Sequence, residues 1–189
     1  SLNWTSEMKG FVRENLLLSL CGLNCGLCPM NLDGHCPGCG GGEGNQSCKI
    51  ARCSLEHGAP AYCGGCEHYP CEKYQGFDEF DSFITHRRRD ADLKRVGEIG
   101  EEAYNAGQRE KIDILRFLLG GFNDGRRKSF FCAAVNLLEL EELRPVVRQL
   151  SDGPWMERTP PKERAVRAVR LLQEAAAGRG IELKLRKKK

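Results

Sequence analysis

Ten of the eleven cysteines of this 189-residue chain fall between Cys21 and Cys71, and only Cys132 stands apart. A stretch this rich in Cys and Gly shows little hydrophobic periodicity. It can bury little apolar surface and needs some other staple. Disulfides and metal ions are the staples that thiols offer, and the redox compartment decides between them. No run of 18 apolar residues exists, which predicts no spanning helix. Leu16-Leu17-Leu18 is too short and too far along the chain for a secretory core, so the chain reads as intracellular and cytoplasmic. In a reducing cytosol dense cysteines point to metal or catalysis. An odd count also fits complete pairing badly.

The ladder reads C-x3-C-x2-C-x7-C-x2-C-x8-C-x4-C-x9-C-x2-C-x4-C. Its three C-x2-C pairs are Cys25/Cys28, Cys36/Cys39 and Cys63/Cys66. Two residues between thiolates let one tight turn aim both sulfurs at one ion. The spacing predicts a metal module with ligands among Cys21, Cys25, Cys28, Cys36, Cys39, Cys48, Cys53, Cys63, Cys66 and Cys71. Zinc fits closed four-thiolate sites, as two or three ions. An iron–sulfur cluster is the alternative. Ten cysteines exceed two four-ligand sites by two, and His57 and His68 would complete a third. If residues 46–57 form a helix, Cys48 and Cys53 sit about 140° apart on it and face different sites.

The rest of the chain reads as helical. Phe11, Val12, Leu16 and Leu20 suggest a short amphipathic lead-in over residues 1–20. Phe77, Phe80, Phe83 and Ile84 repeat at helical spacing. Further helices are expected over about 90–104 and 108–119, one holding Phe131 to Leu138, one over 139–150, and one after Thr159-Pro160-Pro161. Residues 181–185 suggest a short strand. The fold class expected is therefore mainly α. An irregular cysteine-rich metal-binding module (residues 1–76) packs against an all-α helical bundle (residues 77–189) that ends in a basic tail.

Charge separates these regions. Residues 1–76 hold five Lys/Arg against seven Asp/Glu, and residues 77–189 hold 24 against 19. Two tetrathiolate sites would bring the first segment to about −6. That disfavours nucleic acid and leaves a protein as the expected partner.

Cys21-Gly22-Leu23-Asn24-Cys25-Gly26-Leu27-Cys28, Cys36-x-x-Cys39, Cys48-Lys49-Ile50-Ala51-Arg52-Cys53 and Cys63-x-x-Cys66-x-x-Tyr69-Pro70-Cys71-Glu72-Lys73 form a recognisable set. Over about residues 17–80 the chain resembles the cysteine-rich domain of unknown function 3795 of bacteria and archaea. The resemblance implies metal binding and supplies no reaction. Cys21-x3-Cys25-x2-Cys28 also matches the cluster motif of radical S-adenosylmethionine enzymes. The 161 residues after Cys28 lack the alternating strand–helix pattern of their barrel.

Outside the module, Cys132 reads as a small buried hydrophobe on an apolar helix. Arg126-Arg127-Lys128 and His86 to Arg89 read as solvated helix ends. No phosphate loop, nucleophile elbow or paired-carboxylate pattern is present, so the chain leans away from being an enzyme. The function expected is a structural zinc module presenting a protein-interaction surface. The alternatives are an iron–sulfur redox or sensing protein, and a thiolate metal-handling protein or thiol oxidoreductase.

Overall fold

The computed structural model describes residues 10–42 and 47–189. Every regular element among them is helical. The helices are α1 (Pro29–Leu32), α2 (Lys49–Glu56), α3 (Arg89–Ile99), α4 (Glu101–Gly121), α5 (Lys128–Leu137), α6 (Leu140–Ser151), α7 (Trp155–Arg158) and α8 (Pro161–Ala177). Single 3-10 turns occur at Cys25–Leu27, Cys63–Gly65 and Glu72–Tyr74. No described helix is long and apolar enough to cross a membrane.

The chain divides into two compact units. The first runs to Asn105 and takes in Arg186–Lys189; the second is Ala106–Leu185. In the first unit, α2 buries Ile50, Ala51 and Ser54 on one face. Ile50 and Ala51 join Leu20 and Cys21 in a small core, with Phe11, Leu23, Cys39, Cys63, Tyr74 and Phe77 packed around it. A second cluster gathers Leu18, Val96 and Tyr104 beside Tyr62. The cysteine-rich stretch thus has more of an apolar core than its composition suggests.

Helix α3 buries Arg89, Asp92, Leu93 and Val96, the three- and four-residue spacing of an inward face. Gly100, with φ of 87°, ends α3 and lets α4 start at once. Helix α3 also packs on the Cys63–Gly65 turn. The 19–23 turn comes close to α3: a Cβ on Gly22 would lie 2.4 Å from the Arg89 carbonyl oxygen.

The second unit shows the apolar helix packing that its periodicity predicts. Leu115, Leu118, Phe122, Phe131, Leu138, Leu143, Leu150 and Leu172 are fully buried. Helix α6 packs on α8, and α6 opens with a capping box in which the Glu139 amide donates to Glu142 Oε2 at 2.7 Å. Asn123 Oδ1 accepts from the Gly125 and Arg127 amides ahead of α5.

Three expected elements are absent. Residues 10–20 hold no helix, and residues 1–9 of the expected lead-in lie outside the described residues. Residues 77–86 hold no helix because side chains capture the backbone there. The His86 amide donates to Asp81 Oδ1 at 2.9 Å, and the His86 ring donates to the Phe77 carbonyl at 3.0 Å. Residues 181–185 form no strand.

Candidate functional site

The cysteines were the expected site, and their placement corrects that expectation. All eleven are free thiols. Two sets lie within electrostatic reach of one another. Cys21 feels Cys39 and Cys48, and Cys25 feels Cys21, Cys28 and Cys39. Cys63 feels Cys53, Cys66 and Cys71, while Cys28 feels Cys36. Cys48 stands at the extended N-cap of α2 and Cys53 within the helix, so the two do not share one helix as expected. Reach is not ligation, however. Among the described residues, no group of three or more His, Cys, Asp or Glu side chains is arranged to hold a metal ion. That finding overturns the zinc sites, the iron–sulfur cluster and the thiolate metal-handling and redox roles.

The thiols have other uses. The pairs Cys25/Cys28 and Cys63/Cys66 bracket 3-10 turns, in which the Cys28 amide donates to the Cys25 carbonyl and the Cys66 amide to the Cys63 carbonyl. Their two-residue spacing serves a backbone turn. Cys21, Cys39 and Cys63 pack as small hydrophobes. Burial pushes the Cys21 thiol up to about 11, against a hydrogen bond with Ser19 Oγ at 3.1 Å. It pushes Cys25 up to about 12 and also raises Cys28, Cys39 and Cys63. His57 hydrogen-bonds the Cys53 carbonyl oxygen at 2.8 Å, and exposed His68 lies 3.4 Å from Glu67. Cys132 is buried within α5, as expected.

A different feature of the first unit has the form of a binding site. A groove of about 780 Å³ runs between α3 and the 60–70 segment. Leu93 and Val96, nearly buried, form its floor, and Pro60, Tyr62, Tyr69 and Pro70 stand along its sides and carry its accessible apolar surface. Its rim carries two hydrogen-bonded relays. Asn15 Nδ2 donates to Tyr62 Oη at 2.7 Å, and Tyr62 Oη donates to Glu101 Oε2. Arg89 Nη1 donates to Tyr69 Oη at 3.0 Å, and Tyr69 Oη donates to Asp90 Oδ1. Burial and the carboxylate acceptor push each of these phenols up to about 12.

Both relays are rooted in buried groups. Asn15 also donates to Asn105 Oδ1 at 3.1 Å. Arg89, only 4% exposed, grips both carboxylate oxygens of Asp78 at 2.8 and 2.6 Å and donates to the Cys21 carbonyl at 3.1 Å. Its guanidinium lies over the Tyr74 ring, 4.4 Å from the centroid. The rim carboxylates are thereby held in place before any ligand arrives.

Three glycines keep the groove open. Gly97 lies in the last turn of α3, on the same face as Asp90, Leu93 and Lys94. A Cβ on Gly97 or Gly65 would meet nothing within 4 Å, and one on Gly64 would make only ordinary contact. None of the three has a positive φ. Neither backbone conformation nor internal packing requires glycine at these positions. Glycine in a helix costs about 0.5–1 kcal/mol relative to alanine.

The cysteine pattern gave no hint of this groove. Its one signal in the sequence is Gly97 inside an otherwise amphipathic helix. The segment His86 to Arg89, expected to be a solvated helix end, instead buries His86 and Arg89. Arg126 and Arg127 stay at the surface, with Arg127 paired to Asp124 at 3.3 Å. No protein-family model, no curated protein and no solved structure matches the chain.

Proposed function

We propose that this chain is a protein-interaction module that receives an extended segment of a partner protein in the Tyr62–Tyr69 groove. The observation that carries the reading is the side-chain-free stretch of the groove. Gly97 weakens α3 without serving the fold, which is the pattern of stability given up for a function. Glycines also let a ligand backbone approach closely. Flanking Tyr and Pro side chains offer rigid amphipathic surface at low entropic cost. The anchored carboxylates reduce the ordering cost of binding.

The test is a random-peptide display selection on the whole chain, with Gly97→Leu as the counter-target. Leucine fills the groove and is a better helix former than glycine, so the variant is expected to fold at least as well. Peptides enriched on the native chain and lost on Gly97→Leu support the reading. A selection that enriches nothing, or enriches the same peptides on both, overturns it.

A further inference from the structure

The groove's charges point to the kind of segment that fills it. Its charged lining residues are Asp90, Lys94 and Glu101, and Lys94 is drawn to Glu98 at 4.0 Å on its own helix. Among the described residues, each of Asp90 and Glu101 has one carboxylate oxygen bound to a tyrosine and a second with lone pairs directed elsewhere. Such an oxygen accepts well from an ammonium or guanidinium donor. Asp90 and Glu101 are eleven residues apart across α3 and the start of α4. At about 1.5 Å per residue the helical rise over that span is about 16.5 Å. An extended peptide covers this in about five residues, and fewer when long side chains reach outward. Between the two carboxylates along the chain lie the nearly buried Leu93 and Val96 and the open position at Gly97, and the apolar surface within reach of a ligand belongs to Pro60, Ala61, Tyr62, Tyr69 and Pro70.

We infer that the groove selects an extended basic–apolar–basic segment, with two Lys or Arg side chains three to five residues apart meeting Asp90 and Glu101 and an apolar side chain between them against the Tyr and Pro side chains of the 60–70 segment. This rests on the groove being the binding site. The same charges disfavour an acidic or phosphorylated segment.

The experiment measures fluorescence polarisation of labelled peptides against the whole chain. One peptide carries two arginines four residues apart around a leucine. A second replaces both arginines with glutamate, and a third replaces the leucine with serine. The arginine peptide is expected to bind at least about tenfold more tightly than either relative. Its affinity should fall as salt rises. Asp90→Asn and Glu101→Gln should each weaken it about three- to fivefold, and the double variant about tenfold with most of the salt dependence gone. Circular dichroism confirms that both variants fold. Binding that is blocked by Gly97→Leu but indifferent to peptide charge and to both carboxylate variants overturns this inference and leaves the groove reading intact. Binding unaffected by Gly97→Leu overturns both, and no binding of any of the three peptides overturns this inference and leaves the groove reading to the display selection.

Discussion

The two units of the chain bury different things. Among the described residues, the first unit encloses nine buried polar or charged side chains: Asn15, Ser19, Asn24, Ser54, Thr85, His86, Arg89, Asp92 and Asn105. The second encloses three, namely Gln108, Lys111 and Asn136. The second unit is leucine, phenylalanine and alanine packed between helices, and its stability follows apolar area removed from water. The first is short of helix and holds its loops by paired polar groups. Tyr104 Oη donates to Asn24 Oδ1 at 2.7 Å, and Asn24 Nδ2 donates to Asp92 Oδ2 at 2.9 Å. A satisfied buried network adds modest net stability, but it fixes geometry, and losing one member leaves the others unpaired. The groove lies in the unit built this way, where fixed rim positions matter more than stability.

Substitutions separate the two modes of construction. The largest effect is expected in the apolar unit. Phe131→Ala should cost about 3–5 kcal/mol, read from urea unfolding followed by Trp155 fluorescence in a Trp4→Phe background. Next comes the hub of the polar unit. Arg89→Met should cost about 3 kcal/mol, at the low end for a buried pair because Asp78 is half-exposed and can take up water. It should also release Tyr69 and loosen the Asp90 side of the groove. Alkylation of the thiols under urea reads this loss, while the Trp155 transition stays in place.

Alkali should discriminate between the units in the same way. Burial raises the Cys21 and Cys25 thiols to about 11 and about 12. Their contribution is complete below the unfolded thiol value near 9 and is lost as pH rises toward the folded values. Each thiol that ionises only on unfolding removes about 1.4 kcal/mol per pH unit in that window. The first unit should therefore weaken between about pH 9 and 11, seen as rising thiolate absorbance and alkylation. The smallest effect is expected at the surface of the second unit. Arg144→Ala breaks an exposed pair with Glu110 and should leave the urea midpoint unchanged.

Much of the second unit was legible in the sequence. Apolar spacing in α5, α6 and α8 and the Pro160-Pro161 pair at the start of α8 each act within a few residues. The split between α3 and α4 falls at Gly100, earlier than expected, because one left-handed glycine outweighs helical periodicity on both sides. The first unit was harder to read because its ties are long-range. Tyr62 meets Glu101 39 residues away, and Arg186 returns across 105 residues to Asp81. No local pattern announces such pairs. The cysteine ladder misled for a related reason. A two-residue spacing is equally that of a 3-10 turn, and spacing alone does not tell convergent ligands from packed thiols.

The claim that the first unit is held by packed side chains and hydrogen bonds, with its thiols unligated, is tested most directly by hydrogen exchange across residues 10–105. It is measured with and without a strong chelator, alongside elemental analysis and thiol titration of anoxically purified protein. The account predicts eleven titratable thiols after denaturation, metal at less than about one ion per ten chains, and unchanged amide protection in chelator. Stoichiometric zinc or iron, with protection around Cys21–Cys71 collapsing when it is removed, would contradict it.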